Sequence, residues 1–306
     1  PGNDESPANY PGNTFRFRQD STFLYFFGLN RPGCSGLLDL DSGEDVLFGD
    51  DPTLEDIIWT GPQPSLAELA GEVGVEKTQS AAHLQKRIEA AVAKGRRILF
   101  LPPYRGETRS TMSRLLGIRA DRLASYASAE LARAVVALRE VKEPAEIEEI
   151  ERACETAGKM HRLAMRMCRP GITEREIAGA IEGVALQHGA GVSFPSIVTQ
   201  HGETLHNHDY DHVLQSGRLM LIDAGAETAM NYCSDFTRTF PVNGRFTGRQ
   251  KDVYDIVLAA NDRTFELAGP DTFYYRMHNE ASMVIAEGLT SLGLMRGNLQ
   301  DADGVG

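Results

Sequence analysis

The 306-residue chain contains no uninterrupted apolar run approaching the roughly 20 residues that cross a bilayer as a helix. No basic-then-apolar signal segment follows Pro1-Gly2 in a sequence that begins without an initiating Met, so the expected compartment, the cytoplasm, rests on cysteine usage. Basic residues are in deficit: 31 Lys and Arg against 43 Asp and Glu give a net charge of −12. That balance argues against non-specific nucleic-acid binding and against docking on an anionic membrane, both of which need clustered cations. Cysteine is scarce. Cys34, Cys154, Cys168 and Cys233 are scattered without C-x-x-C spacing, and read as buried free thiols in a reducing compartment. No G-x-S-x-G, Walker or G-x-G-x-x-G sequence occurs, which leaves no motif for a serine hydrolase, a P-loop or a dinucleotide site. Trp59 is the only tryptophan and, like the Phe26-Phe27 pair, is expected in a core.

What is present divides into two halves. Residues 1–18 are rich in Pro, Gly and Asn and read as loop. Phe23-Leu-Tyr-Phe-Phe-Gly-Leu29 reads as a buried strand. Gly36–Leu40 and Asp45–Gly49 flank Asp41-Ser-Gly-Glu44, a strong hairpin signal. Amphipathic helices near 64–73 and 81–93 and a strand at Arg97–Leu101 complete an α/β pattern. After a helical stretch at 128–139, a new periodicity begins. Ile147, Ile150, Cys154, Ala157, His161, Ala164 and Cys168 recur at three and four, predicting one long helix over 145–168 behind Pro144. Pro170-Gly171 ends it, and Thr173-Glu-Arg-Glu176 forms a capping box for a second helix to about His188. Two further helices are expected at 247–268 and 278–292. The domain boundary is placed near 139–144, giving domains 1–139 and 140–306.

The chemistry concentrates in Leu219–Phe240. Two apolar, strand-like runs each carry one acidic residue, Asp223 and Asp235, and Gly225, Ala229 and Asn231 between them indicate a reversal. A reversal centred near Ala229 sets the two aspartates opposite each other on one face, with Cβ atoms roughly 5 Å apart. Two metal ions about 3.5–4 Å apart need bridging carboxylates at such a separation. The bland alternative is a pair of turn aspartates bonded to local backbone N–H groups; the shared face favours the metal reading.

A second cluster, His201–His212, holds four of the eight histidines. Such a loop can be a metal site, a substrate clamp or merely a set of hydrogen-bonded rings, and its spacing matches no compact zinc motif. His206, after the apolar Leu205, is favoured over His208 and His212. His278 and Glu280 are two apart on a helix and do not face each other, while Glu280 and Glu287 read as a solvated face. Arg238 reads as a supporting partner for Glu227 or an aspartate across the hairpin.

Leu221-Ile-Asp-Ala-Gly-Ala-Glu followed by Tyr232-Cys-Ser-Asp-Phe-Thr-Arg-Thr-Phe-Pro-Val-Asn-Gly-Arg-Phe-Thr resembles the metal-binding hairpin of aminopeptidase P and prolidase, the "pita-bread" metallopeptidases. Phe194–Ile197 and Leu205-His206 resemble the strand and loop before that hairpin, residues 250–257 the helix after it, and Glu140–Ile147 the domain junction. Phe17–Gly28 is similar to the family's non-catalytic N-terminal domain. The resemblance implies an α/β N-terminal domain followed by an α+β pita-bread domain. It implies Asp223 as a terminal metal ligand, Asp235 as a bridging one, and His206 as the histidine that steadies the scissile peptide and its tetrahedral intermediate. It further implies two divalent ions, Mn²⁺ by preference, and a metal-bound hydroxide attacking the carbonyl before proline. Peptides with proline in second position are the implied substrates, and a homodimer the implied assembly. Prolidase, acting on dipeptides alone, and a metal-free binding module are the alternatives.

Two departures stand out. The hairpin holds one more residue than in many members, an insertion assigned to the turn. The family also completes its site with a histidine and two glutamates, and nothing after Gly297 resembles them. Residues 298–306 look like the run-up to that segment. The printed chain is therefore expected to be a fragment, truncated at both ends and inactive by itself.

Overall fold

A computed structural model describes residues 1–297; the run-up segment read at 298–306 lies outside the described residues. The chain divides into two compact units, Pro1–Lys142 and Glu143–Gly306.

The first unit opens with a small hairpin, β1 (Pro7–Tyr10) and β2 (Asn13–Thr14), where composition had suggested only loop. It continues through α1 (Ser21–Phe27), β3 (Ser35–Asp39), β4 (Glu44–Phe48), α2 (Leu54–Thr60), α3 (Leu66–Glu72), β5 (Lys77–Gln79), α4 (His83–Ala93), α5 (Gly106–Leu116), α6 (Leu123–Tyr126) and α7 (Ala129–Arg139). Strand β4 is central, antiparallel to β3 and parallel to β5. Its period-two alternation serves two cores at once. Leu47 joins Phe23, Phe27, Leu66 and Ala70 in one cluster, while Val46 and Phe48 join Leu84 and Ile88 in another.

Three readings fail in this unit. Phe23–Phe27 is helical because the Asp20 carboxylate accepts the backbone N–H groups of Thr22 and Phe23, and Gly28, at φ 64°, closes the C-terminus. Residues 97–101 run without a ladder; Phe100 O instead accepts the N–H of Ser128. Trp59 is 80% exposed on α2, which buries no residue, although Phe27 is buried as expected.

The second unit holds the long helix α8 (Pro144–Met167), α9 (Glu174–His188), the strands β6 (Gly191–Val192), β7 (Ile197–Thr199), β8 (Leu219–Ala224), β9 (Ala226–Glu227) and β10 (Phe236–Pro241), and the helices α10 (Gly248–Leu267) and α11 (Tyr274–Ser291). Pro144 stands at the start of α8, where a missing N–H costs nothing, and the Thr173/Glu176 capping box opens α9. Strands β7 and β10 flank β8, both antiparallel to it, and β6 pairs with β9. Met220, Ile222 and Ala224 point from β8 into a core with Met160 and Ala164 of α8 and Ile177, Ile181 and Ala185 of α9. No helix among the described residues is long and apolar enough to cross a membrane.

Candidate functional site

Strand β8 alternates strictly: Met220, Ile222 and Ala224 are buried, whereas Leu219, Leu221 and Asp223 are half-buried on the opposite face. The run of four apolar residues is thus not sealed on both sides, because an antiparallel strand needs only one packed face. Thr237 of β10 lies directly across from Asp223, and Phe236 across from Ala224. Asp235, exposed and just ahead of β10, therefore stands diagonal to Asp223 and not opposite it. The turn explains the shift. It closes with Thr228 N–H donating to Tyr232 O around Asn231, at φ 64°, so its centre falls at Met230, one residue later than expected. One residue in the turn centre moves the pairing by two, which preserves the shared face.

The hairpin is locked from beneath. Ser193 Oγ donates to Ser234 O at 2.7 Å, Ser234 Oγ donates to Ala153 O of α8 at 2.9 Å, and Ala226 N–H donates to Ser234 Oγ at 3.1 Å. Gly225 sits in this crossing, where a Cβ would overlap the Ser234 carbonyl oxygen and the Ser193 hydroxyl. Tyr232 adds a hydrogen bond from its hydroxyl to Glu146 Oε1 at 2.8 Å.

Burial pushes the Asp223 carboxyl above its usual range, opposed by a hydrogen bond from Thr237 and assisted by the neighbouring Asp235 carboxylate at hydrogen-bond range. Its Oδ1 is buried with no hydrogen-bond partner among the described residues. Two adjacent carboxylates, one with an orphaned buried oxygen, fit a hard divalent cation, since oxygen donors of that charge are what such an ion takes. They supply only part of a coordination sphere: among the described residues no group of three or more His, Cys, Asp or Glu converges as a metal site.

Beneath the hairpin lies His161 of α8, which sequence periodicity had placed only as a core position. Its Nε2–H donates to Ala224 O at 3.2 Å, and its ring meets Phe236 edge-on at 6.4 Å. Burial lowers its pKa, which favours the neutral ring, and its Nδ1 is buried without a hydrogen-bond partner among the described residues. A single imidazole thus ties the strand that presents Asp223 to the long helix.

The histidine loop is organised from α9, by a residue that went unnoticed in the sequence. Glu174, fully buried, accepts hydrogen bonds from Thr199 Oγ1 (3.2 Å), Gln200 N–H (2.8 Å), His212 N–H (3.3 Å) and His212 Nδ1 (2.9 Å). It therefore gathers both ends of the loop. Gln200 reinforces the closure, its amide donating to Val213 O and accepting from Gln215 N–H, both at 3.0 Å. His206 is exposed, its ring 6.4 Å from that of His208; no hydrogen bond or ring contact joins it to Asp223 or Asp235 among the described residues. The capping box at Thr173 was the available signal for α9, but it marks Glu176 and says nothing of the burial of Glu174.

Other candidates resolve plainly. Arg238 makes no ion pair among the described residues; it donates to Thr237 O and lies over the Phe236 ring. Glu280 is paired with Arg263 across α10 and α11, which removes it from chemistry. Of the cysteines expected to be buried, Cys34 is, but Cys154 and Cys168 are only half-buried and Cys233, just past the hairpin tip, is exposed.

Comparison with known proteins places this geometry. The profile of metallopeptidase family M24 matches residues 148–302, and that of the aminopeptidase P N-terminal domain matches residues 1–100. Xaa-Pro aminopeptidase of Escherichia coli is 30% identical over 94% of this chain and 67% of its own length. A probable Xaa-Pro aminopeptidase of Sordaria macrospora is 28% identical over 91% of this chain and 47% of its own. Among solved structures, zinc-substituted E. coli aminopeptidase P in complex with product superposes with a TM-score of 0.84 at 27% identity, covering 98% of this chain and 70% of that one. Aminopeptidase PepP of Pseudomonas aeruginosa gives 0.84 at 26% identity, covering 99% and 71%. The chain thus spans from about half to about two thirds of the curated relatives it matches. With the N-terminal domain and the M24 fold both matched in order along one chain, the protein belongs to metallopeptidase family M24, as an aminopeptidase P-like member.

Proposed function

We propose that the whole protein is a metal-dependent aminopeptidase that releases the N-terminal residue preceding proline. The observation that carries this reading is the Asp223/Asp235 pair, set on one face of the hairpin, with the buried Oδ1 of Asp223 unpartnered among the described residues. The relatives of similar sequence carry the name Xaa-Pro aminopeptidase, which favours this activity over dipeptide-only cleavage.

In this reading Asp223 and Asp235 would contribute carboxylate ligands to two divalent ions, Mn²⁺ being the assigned metal. Ions held there supply Lewis acidity toward the scissile carbonyl and make a bound water acidic. His206, on the loop fastened by Glu174, donates a hydrogen bond to the carbonyl oxygen as negative charge develops. Proline has a fixed φ and no N–H, so a pocket shaped to its ring selects it sterically without a backbone acceptor. The 1–139 domain is assigned a non-catalytic role and 140–306 the catalytic one. The protein is further assigned to the cytoplasm, as a homodimer acting on soluble peptides rather than on nucleic acid or membrane.

The test is turnover of Ala-Pro and Ala-Pro-Ala by the full-length protein, before and after chelation. Cleavage of the tripeptide that vanishes with chelator and returns with Mn²⁺ is the expected result. Exclusive cleavage of the dipeptide would replace the reading with prolidase, and no cleavage of either would leave a binding module.

A further inference from the structure

Helix α8 meets the hairpin at two buried hydrogen bonds, and each lies next to one of the two aspartates. Ser234 immediately precedes Asp235; its hydroxyl donates to Ala153 O of α8 at 2.9 Å while accepting the Ala226 N–H at 3.1 Å. Ala224 immediately follows Asp223; its carbonyl oxygen lies 3.2 Å from His161 Nε2, and since a carbonyl only accepts, that nitrogen is the donor. The same ring meets Phe236 edge-on, and Phe236 is both the residue after Asp235 and the cross-strand partner of Ala224. Ser234 and His161 are 5% and 6% exposed, a setting in which a hydrogen bond is strong and costly to leave unmade. Ala153 and His161 are eight residues apart, so the two anchors stand about 12 Å apart along the helix axis. A single anchor would let the hairpin pivot; two at that spacing do not.

We propose that His161 and Ser234 are positioning residues for the metal centre, fixing through α8 the separation and mutual orientation of Asp223 and Asp235. The proposal rests on the peptidase reading and deepens it. Two carboxylates that serve the same ions must be held to about 0.5 Å, which requires the groups behind them to be locked as well. The sheet alone does not supply this. The β7 ladder stops at the Ile197–Asp223 pair, so Ala224 lies past its end, and β10 begins at Phe236, so Asp235 stands ahead of the strand with Ser234 as its fixed neighbour. Apolar contact of Met220 and Ile222 with the core holds β8 down but tolerates small slides that a directed hydrogen bond resists. A third bond between the same two elements provides the contrast. Tyr232 donates from its hydroxyl to Glu146 Oε1 of α8 at 2.8 Å, at the hairpin tip and adjacent to neither aspartate.

The test is calorimetric titration of Mn²⁺ into the full-length protein, beside urea unfolding of each metal-free variant and kinetics on Ala-Pro-Ala. The amide nitrogen of His161→Gln reaches about as far as Nε2 and keeps the donor, whereas that of His161→Asn falls short. His161→Asn and Ser234→Ala are expected to bind Mn²⁺ about 10–100-fold more weakly, with His161→Gln within about threefold of the parent. Tyr232→Phe is expected to bind as the parent does, although it too loses resistance to urea. With Mn²⁺ saturating, kcat falls in the two weakened variants and KM stays, because the aspartates are disturbed and the peptide contacts are not. The His161→Asn/Ser234→Ala double variant is expected to lose less affinity than the product of the single losses, since one shared separation is lost only once. Parent-like affinity in the folded His161→Asn and Ser234→Ala variants, equal losses in the Asn and Gln variants, or a loss in Tyr232→Phe as large as theirs would overturn the proposal. Where His161→Asn does not fold, Ser234→Ala against Tyr232→Phe decides. A parent that binds no Mn²⁺ removes the peptidase reading and this proposal with it, whereas parent binding matched by the variants removes this proposal alone.

Discussion

Strand β8 offers the sharpest contrast in the molecule, because its two faces are made by the same six residues. On one face Met220, Ile222 and Ala224 are fully buried against α8 and α9. On the other, Leu219, Leu221 and Asp223 stay half-exposed, and Asp223 carries a buried oxygen with no hydrogen-bond partner among the described residues. The packed face lowers the free energy of the fold; the open face holds a carboxylate whose desolvation raises it. Stability and chemistry are separated by a rotation of one residue, and changes on the two faces are expected to have opposite signatures.

The largest effect is on activity. Asp235→Asn in the full-length protein removes the charge of a proposed metal ligand and is expected to lower metal-dependent turnover by at least ~10³-fold, while urea unfolding of the metal-free protein moves by less than ~1 kcal/mol, as for other exposed positions. Retained turnover would mean that the open face is not the catalytic one. On the packed face, Ile222→Ala is expected to destabilise by about 2–5 kcal/mol, measured by urea unfolding, through lost burial and a residual cavity. Leu221→Ala, one residue away and half-exposed, should cost less than half as much; equal costs would erase the distinction between the faces.

Glu174→Gln comes next. The amide keeps one acceptor oxygen but turns a donor toward the His212 N–H and Nδ1, and a loss of about 1–3 kcal/mol is expected from the mismatch. If the loop then loosens, KM for the proline peptide rises more than kcat falls.

The smallest effect has the opposite sign. Because the folded-state pKa of Asp223 is raised, the native protein holds its proton longer than the unfolded chain does. Stability of the metal-free protein therefore falls as pH rises from the ordinary aspartate range, about 3.9, through the raised value. Asp223→Asn abolishes that slope and should raise the melting temperature at pH 7, with the advantage disappearing near pH 3. A variant less stable than the parent at pH 7 would show that the carboxylate is satisfied in the native state.

Much of this was legible from residues alone, and the failures have physical causes. Periodicity located α8 because an amphipathic helix of 24 residues repeats its signal many times, the Thr173/Glu176 capping box located α9, and the hairpin at residues 36–49 announced itself through its turn. The seven-residue α1 was mistaken for a strand because five aromatic and aliphatic residues in a row carry no period; its caps, Asp20 and Gly28, were the better guide. Trp59 was assigned to the core by residue type, which states an average and ignores that α2 buries nothing. Aspartate parity survived a wrong turn centre, since parity depends on an even shift and position does not. Glu174 escaped because its role is set by Thr199, Gln200 and His212, 25 to 38 residues away, and no local pattern encodes such partners.

The crossing at Gly225 also says where this hairpin can change over evolutionary time. Backbone contact with Ser234 and Ser193 fastens the two arms between the aspartates and the tip, leaving no room for even a methyl group. Insertions or deletions in the tip, from Thr228 to Tyr232, are insulated from Asp223 and Asp235 by that fastening. The loop can lengthen or shorten as its neighbours demand, while the register that sets Thr237 across from Asp223, and Asp235 diagonal to it, stays pinned by the crossing.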